Sequence, residues 1–127
     1  MASSNNFISG LSEMKYINLE TYKKNGQPVR TPVWFVIYNK KIYFRTDSNS
    51  GKVKRIMNNQ NVSIAACDLL GKIKAEWIKG AAKIANDVDP ETINTLINKK
   101  YSFMQSFIRI MYKLRNIKVI IILIEFS

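Results

Sequence analysis

The residues best suited to chemistry lie between Thr46 and Arg55, where a strand pattern passes through polar residues into a short helix. Ser48, Asn49 and Ser50 are suitable N-caps, and the free amides at a helix start donate hydrogen bonds to anions. Lys52 and Arg55 are three residues apart, so on a helix they share one face beside the apolar stripe. This combination of amides and cations predicts a phosphate-binding site.

The same cations also have a plainer interpretation, because charged residues usually solvate an exposed helix face. Viewed alone, a helix that carries Lys52, Lys54 and Arg55 is better explained in that way. The phosphate site therefore needs support from the rest of the chain.

A second segment, Arg30-Thr-Pro-Val-Trp-Phe35, combines a cation, a proline and two aromatic side chains. Pro32 lacks a backbone donor and belongs at a strand start, an edge or a bulge, so neighbouring backbone groups can be free for a ligand. Arg30 can reach a phosphate or a ring carbonyl, or it is a surface charge at a strand end. Trp34 can flank an aromatic ring, but packing in the core or in a dimer contact is the preferred interpretation.

The single cysteine, Cys67, ends the run Val-Ser-Ile-Ala-Ala-Cys, whose small residues would let a flat ligand approach the backbone. A lone strand cysteine is most often a small core residue, so no redox role is assigned to it. Histidine is absent from the whole sequence, which removes the commonest metal ligand and the commonest acid–base catalyst at neutral pH. Zinc hydrolases and Ser-His-Asp chemistry are excluded, and no metal site is predicted.

The length of 127 residues predicts one domain, over residues 1–127, whose 46% apolar residues can bury a modest core. The small polar residues at the start predict a loose segment over residues 1–12. Twenty Lys and Arg against nine Asp and Glu give a net charge of +11, which attracts polyanions, acidic membranes or phosphorylated small molecules. A membrane helix needs about 20 apolar residues, and no run reaches that length. Without a secretory signal pattern, a cytoplasmic protein that does not associate with membranes is predicted.

The elements that position these residues are mostly strands. Alternating apolar and polar residues, or runs rich in β-branched and aromatic residues, predict six of them, over about residues 16–22, 30–38, 41–46, 61–67, 75–85 and 118–125. Apolar residues at helical spacing predict a helix over residues 51–58, a second helix that begins at Asp89-Pro90, and a further stripe from Phe103 to Leu114. Sequential hairpins with few helices favour an antiparallel barrel over a parallel doubly wound sheet.

The order of these parts resembles the pyridoxamine-phosphate-oxidase-like flavin-binding family, particularly its small deazaflavin-dependent branch. The resemblance covers roughly residues 13–86 and rests on the segments Tyr16 to Thr21, Arg30 to Phe35, Ile42 to Thr46, Ser50 to Arg55, Val62 to Asp68 and Gly80 to Ala82. The C-terminal third matches only in its helix-then-strand outline.

The resemblance implies a mainly β fold, a six-stranded antiparallel split β-barrel with flanking helices, which works as a homodimer with two cofactors at the subunit interface. It implies FMN or the deazaflavin coenzyme F420 as the cofactor, and a hydride transfer in which the cofactor supplies the chemistry. The implied cofactor contacts are Thr46, Ser50, Gly51, Lys52 and Arg55 for the phosphate, backbone near Pro32, Val33, Trp34, Phe35, Ala66 and Cys67 for the ring edges, and Arg30 for either.

Oxidation of vitamin B6 itself is not predicted. Oxidases of that kind carry a C-terminal segment with Arg and His for the substrate, whereas this chain has no His and ends in Ile-Glu-Phe-Ser.

Two other functions stay open. A cofactor-binding dimer without turnover would serve as a carrier or sensor. A small basic barrel would bind single-stranded nucleic acid by combining a cationic groove with stacking aromatic side chains. That signal is the weaker one, because basic residues commonly coat exposed helix faces; its candidates are Tyr101, Arg109, Tyr112, Lys113 and Arg115.

Overall fold

The structure, a computed structural model, describes residues 10–102 and 118–126. The elements in chain order are β1 (Tyr16–Tyr22), β2 (Pro28–Val33), β3 (Val36–Tyr38), β4 (Lys41–Asp47), α1 (Gly51–Asn58), β5 (Asn61–Cys67), β6 (Ile78–Ile84), α2 (Pro90–Lys100) and β7 (Val119–Glu125). The strands form one sheet in the order β2-β1-β5-β6-β7-β4-β3, and every pairing is antiparallel. The predicted mainly β, antiparallel fold with flanking helices is confirmed.

The strand count differs from the prediction, because the described residues form seven strands rather than six. The predicted strand over residues 30–38 is interrupted at Trp34 and Phe35. There the hydroxyl of Tyr101 accepts a hydrogen bond from the Phe35 N–H at 3.1 Å, and Nζ of Lys100 donates to the Phe35 carbonyl at 3.0 Å. Side chains at the end of α2 thus form the hydrogen bonds with Phe35 that a neighbouring strand would otherwise form. β2 pairs with β1, β3 pairs with β4, and no described pairing joins β2 to β3 to close the sheet.

Two predicted hairpin turns have the backbone conformation that their sequences favour. Gly26, after β1, has a φ of 88°, and Asn39 and Lys40, between β3 and β4, have φ angles of 51° and 62°. Two consecutive positive φ angles are what a type I′ turn requires, and that turn matches the twist of the strands it joins.

The sixth strand, β6, begins three residues later than predicted, at Ile78 instead of Ala75. The carboxylate of Asp68 accepts hydrogen bonds from the Leu70 and Lys72 amides, both at 2.9 Å, and so fixes a turn beyond β5. The chain first meets β5 again at Ile73, opposite Cys67, and the regular pairing of β6 begins only at Ile78, opposite Ile64. The helical stripe predicted from Phe103 to Leu114 lies outside the described residues.

Apolar side chains pack on both faces of the sheet. One cluster joins α1 to one face and contains Ile17, Leu19, Phe35, Ile42, Phe44, Ile56, Ile64 and Ile122. The other lies under α2 and contains Val36, Tyr43, Ile93, Ile97, Tyr101, Ile121 and Leu123. β4 and β7 are therefore buried on both faces, and β7 has the almost continuously apolar sequence that such burial favours. No helix of the described residues is long and apolar enough to span a membrane.

Candidate functional site

Hydroxyl groups and free amides meet at the start of α1. Ser50 is the N-cap, and its Oγ accepts a hydrogen bond from the Val53 N–H at 3.4 Å. Oγ1 of Thr46, at the end of β4, lies 3.4 Å from the same Oγ. The amides of Gly51 and Lys52 belong to the first helical turn, whose donors the helix itself does not use. Two predicted phosphate contacts, Thr46 and Ser50, are thus adjacent in the structure.

Arg55 adds a cation on the same side of the helix. Its Nε donates a hydrogen bond to Oγ1 of Thr21 on β1 at 2.7 Å. Its guanidinium then lies over Gly51, where an added Cβ would be 2.8 Å from Nη1. The missing side chain at Gly51 therefore makes room for Arg55 above the helix start. Thr21 was not predicted as a site residue, although a hydroxyl at an inward position of an alternating strand is a signal that could have marked it.

Lys52 is the second cation of this group. Burial lowers its pKa, the charge of Arg55 lowers it further, and Asp47 opposes both effects. The two cations are therefore close enough to repel each other. An anion bound between them would remove this repulsion and raise the pKa of Lys52.

Arg30 lies elsewhere, on β2 opposite Glu20. Its Nε donates to Oε2 of Glu20 at 2.7 Å, and its guanidinium lies 4.6 Å from the ring centroid of Trp77. Tyr22 donates to the other oxygen of Glu20 at 2.7 Å. Burial alone would raise the pKa of Glu20, but the hydrogen bonds from Tyr22 and Arg30 hold it below its usual value. Arg30 is thus engaged within the chain and does not join the group at α1.

The side chains of the predicted ring segment mostly pack against the protein. Trp34 stacks on Tyr101 with a centroid distance of 4.3 Å and an interplanar angle of 1°, in keeping with the packing interpretation. Phe35 is fully buried, and its backbone groups are bound by Tyr101 and Lys100 as described above. Val33 packs against the first cluster.

Ala66 and Cys67 form the end of β5, beside β1. The Ala66 carbonyl accepts a hydrogen bond from the Lys74 N–H at 2.8 Å. Cys67 is 2% exposed, and burial raises the pKa of its thiol, as does the neighbouring Asp68. A buried, protonated thiol agrees with the assignment of no redox role.

Asn18 supplies a polar atom that sequence reasoning missed. It lies on β1 opposite Pro32, and its Nδ2 donates to the Gly71 carbonyl at 3.1 Å. Its Oδ1 is buried and accepts no hydrogen bond from the described residues. A buried acceptor without a donor is rare in folded proteins, so Asn18 is a candidate contact for a ligand N–H or a bound water.

The predicted phosphate and ring positions lie toward opposite ends of β1. Val33 and Ala66 are both in register with Ile17, whereas Arg55 is bound to Thr21. Four residues of a strand span about 13 Å. The group at α1 fits a phosphate, because it combines amides, hydroxyls, two cations and the space at Gly51. At the other end of β1, where the cofactor ring was predicted, Oδ1 of Asn18 is available as an acceptor. The backbone groups of Phe35 and the Ala66 carbonyl already form hydrogen bonds within the chain.

A family model described as pyridoxamine 5'-phosphate oxidase matches residues 7–117. The chain belongs to this family. The resemblance inferred from the ordered segments is thereby confirmed. Members of the pyridoxamine 5'-phosphate oxidase family often bind flavin and commonly dimerise.

Solved structures with the split-barrel fold of the pyridoxamine 5'-phosphate oxidase family are similar to almost the whole chain. A conserved hypothetical protein from Mycobacterium tuberculosis has a TM-score of 0.71 at 18% identity, with 97% of this chain and 79% of that chain covered. The haem storage protein HutZ from Vibrio cholerae has a TM-score of 0.69 at 13% identity, with 99% and 89% covered. General stress protein 26 from Bacillus anthracis has a TM-score of 0.64 at 20% identity, with 98% and 89% covered.

These identities establish the shared fold and nothing finer. A search of curated protein sequences gives no significant match.

Proposed function

We propose that the chain binds FMN or the deazaflavin coenzyme F420 and uses it for hydride transfer. The observation that carries this proposal is the group at the start of α1, formed by Thr46, Ser50, Gly51, Lys52 and Arg55. It combines first-turn amides, two hydroxyls and two mutually repelling cations, which is the chemistry that a phosphate monoester or diester requires.

When bound, the tricyclic cofactor supplies the hydride chemistry, and the protein contributes binding and orientation. Lys52 and Arg55 would neutralise the phosphate, and Thr21 would hold Arg55 in place. Oδ1 of Asn18 would accept a hydrogen bond from a ring N–H near Pro32. No histidine or other dedicated acid–base residue is needed for this role.

We propose that the working form is a homodimer with the cofactor at the subunit interface. One structural observation supports it, besides the common dimerisation of proteins in this family. Leu69 and Leu70 lie side by side on the turn after β5, and they are 64% and 90% exposed. Adjacent exposed leucines are suited to a contact between subunits, and this turn is next to Cys67.

A haem ligand is the less favoured alternative, although one protein of similar fold is a haem storage protein. Haem iron is most often held by histidine, and the sequence contains none. The group at α1 is also arranged for a phosphate rather than for a metal.

Fluorescence titration of the apo-protein with FMN, and separately with F420, tests the proposal. Saturable binding of one of them at one cofactor per chain is the expected result. The reduced complex is then offered a panel of hydride acceptors. Oxidation by at least one acceptor supports an oxidoreductase, whereas binding without oxidation by any of them supports a carrier or sensor. No binding of either cofactor would overturn the proposal.

A further inference from the structure

An open groove of about 270 Å³ lies between the turn after β1 and the exposed face of α1. Lys23 and Lys24 line it from the turn. Lys54, Arg55 and Asn58 line it from the helix. The phosphate proposed above would lie next to this groove, because Gly51 and Arg55 belong to both.

All the charged residues that line the groove are cations. Within residues 10–102 and 118–126, no carboxylate forms an ion pair with Lys23, Lys24 or Lys54. Glu20, on the neighbouring part of β1, is already paired with Arg30. Like charges gathered without a counter-charge repel one another, and an anion in the groove would lower that electrostatic energy.

Both walls of the groove are fixed by hydrogen bonds. The Lys23 N–H donates to the Gln27 carbonyl at 2.9 Å, and the Lys23 carbonyl accepts from the Gly26 N–H at 2.8 Å. On the other wall, Thr21 holds Arg55 at 2.7 Å. The cations are therefore attached to backbone that is already in place, so only their side chains must be ordered when an anion binds.

A single phosphate at the start of α1 would use Lys52 and one side of Arg55. It would leave Lys23, Lys24 and Lys54 without a counter-charge. A ligand with two anionic groups would use both sides of the Arg55 guanidinium, one group at the helix start and one in the groove.

We propose that this groove is a second anion-binding site, which takes a further phosphate or carboxylate group of the same ligand. The inference rests on the proposed function and narrows the choice of cofactor. Because the groove continues from the phosphate end and not from the ring end, the second group belongs to the cofactor tail and not to the substrate. The chain then prefers a cofactor whose tail is anionic beyond its first phosphate.

The test compares three cofactors by equilibrium titration: FMN with one phosphate, FAD with a pyrophosphate, and F420 with carboxylates beyond its phosphate. Wild type is compared with a triple variant, Lys23→Ala, Lys24→Ala and Lys54→Ala. All three side chains are exposed and form no ion pair with the residues that the structure describes, so the variant should fold normally. Lys79→Ala, which removes an exposed lysine on β6, is the matched control.

We expect wild type to bind FAD or F420 about tenfold more tightly than FMN, and the triple variant to lose that preference while it keeps its affinity for FMN. Preference for FAD identifies a pyrophosphate as the second group, and preference for F420 identifies carboxylates. Equal affinities in wild type, or an equal loss for FMN and the longer cofactors, would overturn the inference.

Inorganic anions separate this inference from the proposed function. Pyrophosphate should shift the NMR signals of the Lys23, Lys24 and Lys54 amides in the apo-protein, and these shifts should be absent in the triple variant. If no cofactor binds but pyrophosphate shifts these signals, the proposed function fails and the groove stands. If pyrophosphate leaves them unchanged, the groove proposal is wrong whatever the cofactors do.

Discussion

Arg55 reaches from α1 to β1, where its Nε donates a hydrogen bond to Oγ1 of Thr21 at 2.7 Å. Thr21 is 1% exposed, so this bond is anchored on a rigid, buried position of the sheet. The other guanidinium nitrogens are thereby kept over Gly51 at the helix start. A cation that is held before the ligand arrives loses less conformational entropy on binding than a free side chain does.

Thr21→Val should therefore weaken phosphate binding, although residue 21 itself does not contact the phosphate. Valine keeps the shape of threonine but cannot accept the hydrogen bond, so Arg55 is released. A hydrogen bond to a charged group contributes about 1.5–3 kcal/mol, and partial exposure of Arg55 reduces this to ~1 kcal/mol of cofactor affinity. Thr21→Ser keeps the hydroxyl and should retain most of the affinity. Equal titration curves for the valine and serine variants would show that Thr21 does not position Arg55.

Gly51→Ala should lower the affinity for the cofactor while it leaves the stability of the fold nearly unchanged. The new Cβ would lie 2.8 Å from Nη1 of Arg55, and a flexible guanidinium can move away from it. The unfolding free energy should then change by less than about 1 kcal/mol, because alanine favours the helix. Cofactor affinity should fall several-fold, since Arg55 leaves the helix start. Urea denaturation and cofactor titration measure the two effects, and unchanged affinity would contradict the placement of Arg55 in the site.

Tyr101→Phe tests the interruption between β2 and β3. The hydroxyl accepts from the Phe35 N–H at 3.1 Å and lies 2.8 Å from the Lys15 carbonyl. Phenylalanine keeps the stacking on Trp34 but leaves a buried donor unpaired, which costs about 1–3 kcal/mol of unfolding free energy. Tyr38→Phe, at a half-buried tyrosine on β3, is the control and should cost less. Similar urea midpoints for the two variants would refute the role of the Tyr101 hydroxyl.

Lys100 should make stability depend on pH in the alkaline range. Burial, aided by the charge of Lys15, lowers its pKa to about 8. Above about pH 8 the Lys100 side chain of the folded protein is neutral, whereas in the unfolded protein it keeps its proton up to a pKa near 10.4. The cost of burying a charged lysine therefore disappears as pH rises, and the folded state becomes more stable. The unfolding free energy of wild type, relative to Lys100→Met, should therefore increase from about pH 7 to about pH 9.5. A constant difference over that range, or a decreasing one, would contradict the lowered pKa.

The sequence predicted the elements around the candidate site because each has a local cause. Asn25-Gly26 and Asn39-Lys40 set the turns. α1 begins at Gly51, as predicted, and its N-cap is Ser50, one of the three predicted cap residues. The interruption at Phe35 could not be predicted, because its cause is Tyr101, 66 residues away in the chain.

The same reasoning explains what was found and missed in the site. Lys52 and Arg55 were predicted from helical spacing, and the structure places the Arg55 guanidinium over Gly51. The strand pattern marks Thr21 as an inward hydroxyl but does not show that it holds Arg55 of α1. Asn18 was missed because its role depends on the loop that packs beside β1. The engagement of Arg30 by Glu20 likewise follows from strand register, which a single strand pattern does not determine.

The most direct test of the account is the ratio of affinities for a cofactor with and without its phosphate. FMN is compared with riboflavin, or F420 with its deazaflavin chromophore lacking the phosphate, in wild type, in Lys52→Ala/Arg55→Ala and in Lys79→Ala. Wild type and Lys79→Ala should prefer the phosphorylated form by a hundredfold or so, and the double variant should lose most of that preference. A wild type that binds both forms equally, or a double variant that keeps the preference, would contradict the assignment of the phosphate site to the start of α1.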